Sequence, residues 1–264
     1  MNFKQITLQA IPVVQSVGAF IKQELGKVET QAIEEKSLNS LVSYVDRTAE
    51  EKLVAGLGKI LPQATFLTEE ETVKQEQSDL QWIIDPLDGT TNFLFSIPVF
   101  SVSVALKHKD ELVVGIVYEV NQEECFYAWK SGGAYLNEKP ISVSNRETLA
   151  KGLIATGFPY YDYSLMPKYF KALEAFMQRT RGIRRLGSAA VDLAYVACGR
   201  FDAFYEYSLN IWDVAGGILL VREAGGKVSD FKGNEESLTG TEIIAASDQV
   251  YDPFFEIVNK AFYK

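Results

Sequence analysis

Histidine is nearly missing from this sequence: His108 is the one imidazole in 264 residues. That excludes a histidine-rich zinc site, and a serine–histidine–aspartate triad would have to use His108 itself. The residue sits in "KHKDE", between two stretches of alternating apolar character, and is expected at a solvated hairpin tip. Cysteine is also scarce. Cys125 and Cys198 are too few for a disulfide scaffold, and both are expected to be reduced and structural. No apolar run reaches the roughly 18 residues that a membrane-spanning helix needs. "MNFKQITLQA" lacks the basic-then-apolar order of a secretory signal. The expected location is the cytoplasm, with no membrane partner. Positive charge is in deficit too: a net charge of −9 argues against a nucleic-acid partner. Four arginines from Arg179 to Arg185 form a modest cluster, read as a loop or strand with local partners. No repeat, linker or low-complexity segment is present.

What remains is an ordinary globular composition, 47% hydrophobic and 23% charged, long enough for one large domain or two small ones. Apolar spacing predicts a helix from Ile6 to Leu25, closed by Gly26, and another from Val45 to Ile60. "ATFLT" and "WIID" read as short buried strands. "FSVSVALK" and "ELVVGIVYEV" read as antiparallel neighbours, with "ECFYAWK" as a third strand. Beyond Ala150 strands and helices alternate: "GLIATGF", "LMPKYFKALEAFMQR", "SAAVDLAYVACG", "FDAFYEY", "WDVAGGILLVREAGG", "TEIIAAS" and a terminal helix. Stacked α and β layers follow, with a soft boundary that divides the chain into halves 1–150 and 151–264.

Carboxylates stand at the ends of these elements: Glu69, Glu70 and Glu71 in "TEEE", then Asp85, Asp88 and Asp213. Oxygen ligands without histidine or thiolate suit a hard cation such as Mg²⁺. In "WIIDPLDGTTNF", Pro86 keeps a helix from starting early. The turn aims Asp85, Asp88 and the Leu87 carbonyl at one spot. Gly89 permits close backbone approach, and Thr90, Thr91 and Asn92 open a helical turn suited to an anion. A plain aspartate turn with capping threonines would look the same. Dehalogenase-type phosphatases carry Asp-x-Asp-Gly-Thr instead. Two acids three residues apart do not share a face of an extended strand, so turn geometry is required here.

"WIIDPLDGTTNF" together with "WDVAGGILLVREAGG" resembles the signatures of the inositol monophosphatase family. "SLVSYVDRTAEEKL" and "RGIRRLGSAAVDLAYVACGRFDAFYE" extend the resemblance over most of the chain. It implies a five-layer αβαβα sandwich and a homodimer. The implied activity is lithium-sensitive, Mg²⁺-dependent hydrolysis of inositol-1-phosphate or similar small polyol phosphate monoesters. By position, the metal would be held by Glu69, Asp85, the Leu87 carbonyl, Asp88 and Asp213. Gly89 and Thr90 would donate backbone bonds to phosphate. Thr90, supported by Asp46, and Glu69 would orient an activated water for in-line attack. Asp88, Asp213, Gly187, Ser188, Ala189 and Glu206 would line the substrate side. Thr68 replaces the glycine usual before the glutamate pair, and the frame "FLTEE" selects Glu69 as the ligand.

The remaining acids and tryptophans receive plainer roles. Glu70 and Glu71 are expected to be solvated, Asp192 and Asp202 to be surface or capping groups, and Trp82 and Trp212 to be core. Two other functions compete. One is a fructose-1,6-bisphosphatase or a 3′(2′),5′-bisphosphate nucleotidase of the same superfamily. The other is a regulatory binding protein whose phosphatase site is incidental.

Overall fold

Two sheets of unequal size carry the chain, and their alternation decides which residues can meet. The computed structural model describes residues 1–29, 33–37, 40–159, 162–236 and 239–264. Helix α1 (Phe3–Glu24) leads, followed by a hairpin of β1 (Glu34–Ser37) and β2 (Ser40–Val42), and then α2 (Tyr44–Ile60). A seven-stranded sheet comes next. It holds β3 (Thr65–Thr68), β4 (Leu80–Asp88), β5 (Ser101–His108), β6 (Glu111–Glu119), β7 (Glu124–Trp129), β8 (Ala134–Leu136) and β9 (Lys139–Ile141), in that spatial order. Only β3 and β4 are parallel; the others form an antiparallel meander. The short helix α3 (Thr90–Leu94) sits between β4 and β5.

The second sheet has five strands: β10 (Leu153–Thr156), β11 (Gly182–Arg184), β12 (Ala203–Tyr207), β13 (Gly226–Ser229) and β14 (Glu242–Ser247). Their spatial order is β11-β10-β12-β14-β13. Helices α4 (Met166–Arg179), α5 (Ala189–Ala197), α6 (Ile211–Glu223) and α7 (Asp248–Tyr263) complete the chain.

The layers follow from period-2 burial in the strands. On β4 and β5, Trp82, Ile84, Val102, Val104 and Leu106 turn toward α1 and α2 and share a core with Ile6, Val14, Val45 and Leu53. The opposite face of that sheet, with Val117 and Phe126, meets α5 and α6. From the other side Phe204, Ile243 and Ala245 of the second sheet close over the same two helices. Tyr205, Tyr207 and Ile244 point outward, onto Tyr169 and Phe176 of α4 and Val250 and Phe254 of α7. The result is the five-layer αβαβα sandwich. Among the described residues, no helix is long and apolar enough to cross a membrane.

Several local expectations need correction. His108 is the last residue of β5, half-buried, with its ring 6.2 Å from that of Phe3; the hairpin tip is Lys109-Asp110. Asp202 is fully buried, not a surface group. It accepts hydrogen bonds from the Leu153 N–H at 2.7 Å, from Ser144, and from Arg146 at 3.1 and 3.2 Å. Asp192, on the inward face of α5, is buried as well. The pattern placed Asp192 on a helix and Asp202 at the start of a strand but could not show which layers would cover them. Cys125 and Cys198 are free thiols. Burial pushes the Cys125 thiol up to about 12, so it is inert as a nucleophile.

Candidate active site

Strand β4 delivers the first acids through a register fault. Asp85 stands opposite Ser103, and Asp88 opposite Ser101, so one extra residue is inserted on the β4 side. Such a bulge turns the chain by one position. Two acids that a regular strand would point to opposite faces therefore share one. The Leu87 N–H donates to Asp85 Oδ1 at 2.9 Å and fixes the turn. The facing positions on β5 are serines, small enough to leave room. Ser103 Oγ donates to the Trp212 carbonyl at 3.3 Å, and Ser101 Oγ lies 3.3 Å from Ser188 Oγ. The alternation in "FSVSVALK" thus sends valines to the core and serines beneath the site.

Two helix starts close on that spot from the middle layer. Asp213 lies in the first turn of α6 and accepts from the Asn210 N–H at 2.7 Å. Ser188 caps α5. Its hydroxyl donates to Asp88 Oδ2 at 2.6 Å, and the Ala190 N–H donates to the same oxygen at 2.7 Å. A carboxylate at a helix N-terminus is stabilised by the exposed N–H groups there. Ser188 therefore serves both as helix cap and as cavity wall.

Helix α2 supports the site from behind. Asp46 accepts from the N–H and hydroxyl of Ser43, both at 2.8 Å, which starts the helix. Its other oxygen, Oδ1, accepts from Thr90 Oγ1 at 3.0 Å. The Thr90 hydroxyl lies equally close to the Leu87 carbonyl. Gly89, which precedes α3, has φ 96°; a Cβ there would come within 3.1 Å of the Val99 carbonyl and 3.2 Å of the Gly187 carbonyl. Only glycine meets both demands.

The sequence-predicted residues Glu69, Asp85, Leu87, Asp88, Gly89, Thr90, Gly187, Ser188, Ala189, Glu206 and Asp213 line one cleft, which encloses about 810 Å³ of space open to solvent. Asp46 stands one layer behind, against Thr90. Among the described residues, five acids line this cleft against one cationic side chain, Arg185. Desolvation pushes the Asp85 carboxyl well above the usual range, and the charges of Glu69, Asp88 and Asp213 push it further. Asp213 is raised for the same reasons, desolvation first and then Glu69 and Asp88. Desolvation raises Asp88 to about 6, against the pull of Ser188 and the α5 N–H groups. Among the described residues no three acids, histidines or cysteines already stand at ligand spacing around one point. The acids share a cavity wall and repel one another across it. An all-oxygen set whose cost is desolvation first and mutual repulsion next fits a hard divalent cation.

Three participants escape the sequence reading, and a fourth, Asn92, shows there only as part of the helical turn. Arg185, the last of the arginine cluster, lies over the Phe158 ring at 5.3 Å and lowers the proton affinity of Glu206, which burial raises. Asn92 donates to the Val99 carbonyl at 2.7 Å and the Leu186 carbonyl at 2.8 Å, tying the α3 turn to the approach to α5. Gly157 makes room for the Glu206 carboxyl. Glu50 holds the turn after Glu69. For Glu50 a signal existed: Asp46 and Glu50 are acids four apart, beside the buried Val45, Ala49 and Leu53 of an otherwise amphipathic helix.

A model of the inositol monophosphatase family matches residues 2–261. A Mesorhizobium japonicum protein named inositol-1-monophosphatase is 38% identical over 251 residues, covering 95% of this chain and 94% of that one. A Pasteurella multocida protein named Nus factor SuhB is 42% identical over 226 residues, covering 85% and 84%. The crystal structure of extragenic suppressor protein suhB from Bartonella henselae superposes with a TM-score of 0.89 at 38% identity, covering 100% and 99%.

Proposed function

The chain belongs to the inositol monophosphatase family, and from that premise we propose that it is a Mg²⁺-dependent phosphatase of small polyol phosphate monoesters, inositol-1-phosphate among them. One observation carries the reading. Glu69 after β3, Asp85 and Asp88 on β4 and Asp213 on α6 line one cleft with Leu87. Magnesium held by these five groups would supply positive charge for the phosphate oxygens and make water acidic enough to react near neutral pH.

The chain's own groups do the rest. Asp46 Oδ1 accepts the hydrogen bond of the Thr90 hydroxyl, which leaves the Thr90 oxygen free to accept from the attacking water. Glu69 is the proton acceptor for that water. Gly89 and Thr90 present backbone N–H groups to the phosphate. Asp213, at the start of α6, faces the leaving oxygen. Glu206, on the inward face of β12, accepts from substrate hydroxyls, with Ser188 and Ala189 beside it. The work is placement and charge stabilisation, without a covalent phosphoenzyme. A homodimer, lithium inhibition and a cytoplasmic location belong to the same proposal.

A panel of phosphate monoesters assayed with Mg²⁺, with and without Li⁺, tests it. Lithium-inhibited preference for inositol phosphate is the expected result. Hydrolysis of adenosine bisphosphate alone, or of fructose-1,6-bisphosphate alone, would move the chain to another branch of the superfamily. A second reading has its own support in the relatives named Nus factor SuhB and suhB: a regulatory protein that keeps the fold. A ligand variant that loses hydrolysis but retains a cellular role would establish that reading.

Gly157 offers a sharper test of the substrate side. A Cβ there would fall 2.0 Å from the Glu206 carboxyl atoms, so the acid must move. Gly157→Ala is expected to raise KM several-fold and to cost about 1–3 kcal/mol in urea unfolding. An unchanged KM would remove Glu206 from substrate binding.

A further inference from the structure

Glu50 is fully buried on α2, yet both of its oxygens face the turn that follows Glu69. Oε2 accepts from the Glu70 N–H at 2.7 Å. Oε1 accepts from the Thr72 N–H at 2.8 Å and from the Thr72 hydroxyl at 2.7 Å. Between them Glu71 adopts a left-handed φ of 52°. On the other side of Glu69, its own N–H donates to the Ile84 carbonyl at 3.2 Å, the last rung between β3 and β4. The Glu69 backbone is therefore clamped from both directions, by the sheet before it and by Glu50 after it.

One turn earlier on the same helix, Asp46 holds Thr90. Residues four apart lie on one helix face, about 6 Å apart along the axis. A single rigid rod thus sets the spacing between two walls of the cleft. The cap at Ser43 accounts for Asp46 as a helix starter. Nothing in helix formation calls for Glu50: an acid in the buried middle of α2 serves the helix poorly and the turn well.

We propose that Glu50 is a positioning residue, which fixes the Glu69 carboxyl at the cavity wall and so sets the affinity of the site for its divalent cation. The inference rests on the reading of Glu69 as a metal ligand. Groups that orient a ligand from behind typically change metal affinity 10- to 100-fold when removed.

The test uses the full chain and Mn²⁺ alone, with binding measured by titration calorimetry on the wild type, Glu50→Gln, Glu69→Gln and the double variant. Glu50→Gln presents an amide N–H to one of the backbone N–H groups it now accepts from. It is expected to weaken Mn²⁺ binding about 10-fold. In the Glu69→Gln background the same change is expected to matter by less than about 2-fold, because its effect runs through Glu69. Equal weakening in both backgrounds would make Glu50 a general prop of the fold and overturn the inference. So would normal binding by Glu50→Gln while Glu69→Gln is impaired; the metal reading would survive that result. Wild-type binding by Glu69→Gln would overturn the metal reading and the inference together. If Glu50→Gln does not fold, Thr72→Val decides: it keeps both backbone bonds and loses only the hydroxyl bond. Weakening that depends on Glu69 supports the inference, and any other result overturns it.

Discussion

An Asp213→Asn protein is expected to keep its fold and lose more than about 100-fold in kcat/KM; losing a group that merely orients a ligand costs 10–100-fold, and a ligand itself should cost more. The fold survives because asparagine Oδ1 can still accept from the Asn210 N–H, now at 2.7 Å from the aspartate. The activity does not, because one of the negative charges facing the cleft is gone. The same change has an opposite effect on stability. Asp213 is raised first by desolvation and then by the charges of Glu69 and Asp88, and its charge raises Asp85 in turn. Neutralising it removes repulsion, so chelator-treated Asp213→Asn is expected to melt a few degrees above chelator-treated wild type at neutral pH. Stability and activity moving in opposite directions is what a metal ligand does and what a structural cap does not. Full turnover in the variant would remove Asp213 from the site.

With a chelator present, the wild type is expected to lose stability as pH rises from about 4 to 8. The sign follows from the carboxyls. Asp88 has a folded value of about 6 against an ordinary 3.8, so the folded state holds that proton more tightly than the unfolded chain does. Its contribution is complete below the ordinary value and is lost as pH rises through the folded one. That loss is on the order of 3 kcal/mol between about pH 4 and 6 for Asp88 alone. Asp85 and Asp213 are raised in the same direction and extend the decline to higher pH. Excess Mg²⁺ should cancel it, because a cation favours the ionised set; at 100 times its dissociation constant a ligand adds about 2.7 kcal/mol. Melting curves at pH 5 and pH 8, in chelator and in Mg²⁺, measure both slopes. A melting temperature that rises with pH in chelator would contradict buried, crowded carboxyls as the main electrostatic feature of the cleft.

Long periodic segments were legible because their burial is local in origin. α2, α5, α6 and the β5–β6 hairpin each show their buried face in their own residues. The short strands β1, β2, β8, β9 and β13 carry too few residues for a period to register, and they exist because a neighbouring edge pairs with them. Asp192 and Asp202 were misplaced for a related reason. The place of Asp192 on a helix and of Asp202 beside a strand can be read from spacing, but the layer that covers each belongs to another part of the chain. Arg185 shows the same limit in reverse: a basic cluster that reads as local contributes one guanidinium to the cleft, beside Glu206.

By itself the sequence determined the kind of chemistry on offer. With one histidine, two separated thiols and acids at the ends of strands and helices, only oxygen ligands remained, and a hard cation follows from donor type alone. It also required a break in regular geometry between Asp85 and Asp88, since their spacing contradicts a regular strand. Tertiary structure decided what those acids experience. The bulge against Ser101 and Ser103, the α5 start under Asp88 and the clamp of Glu50 behind Glu69 join residues far apart in the chain. Their effect depends on distances and desolvation, which arise only when the layers close.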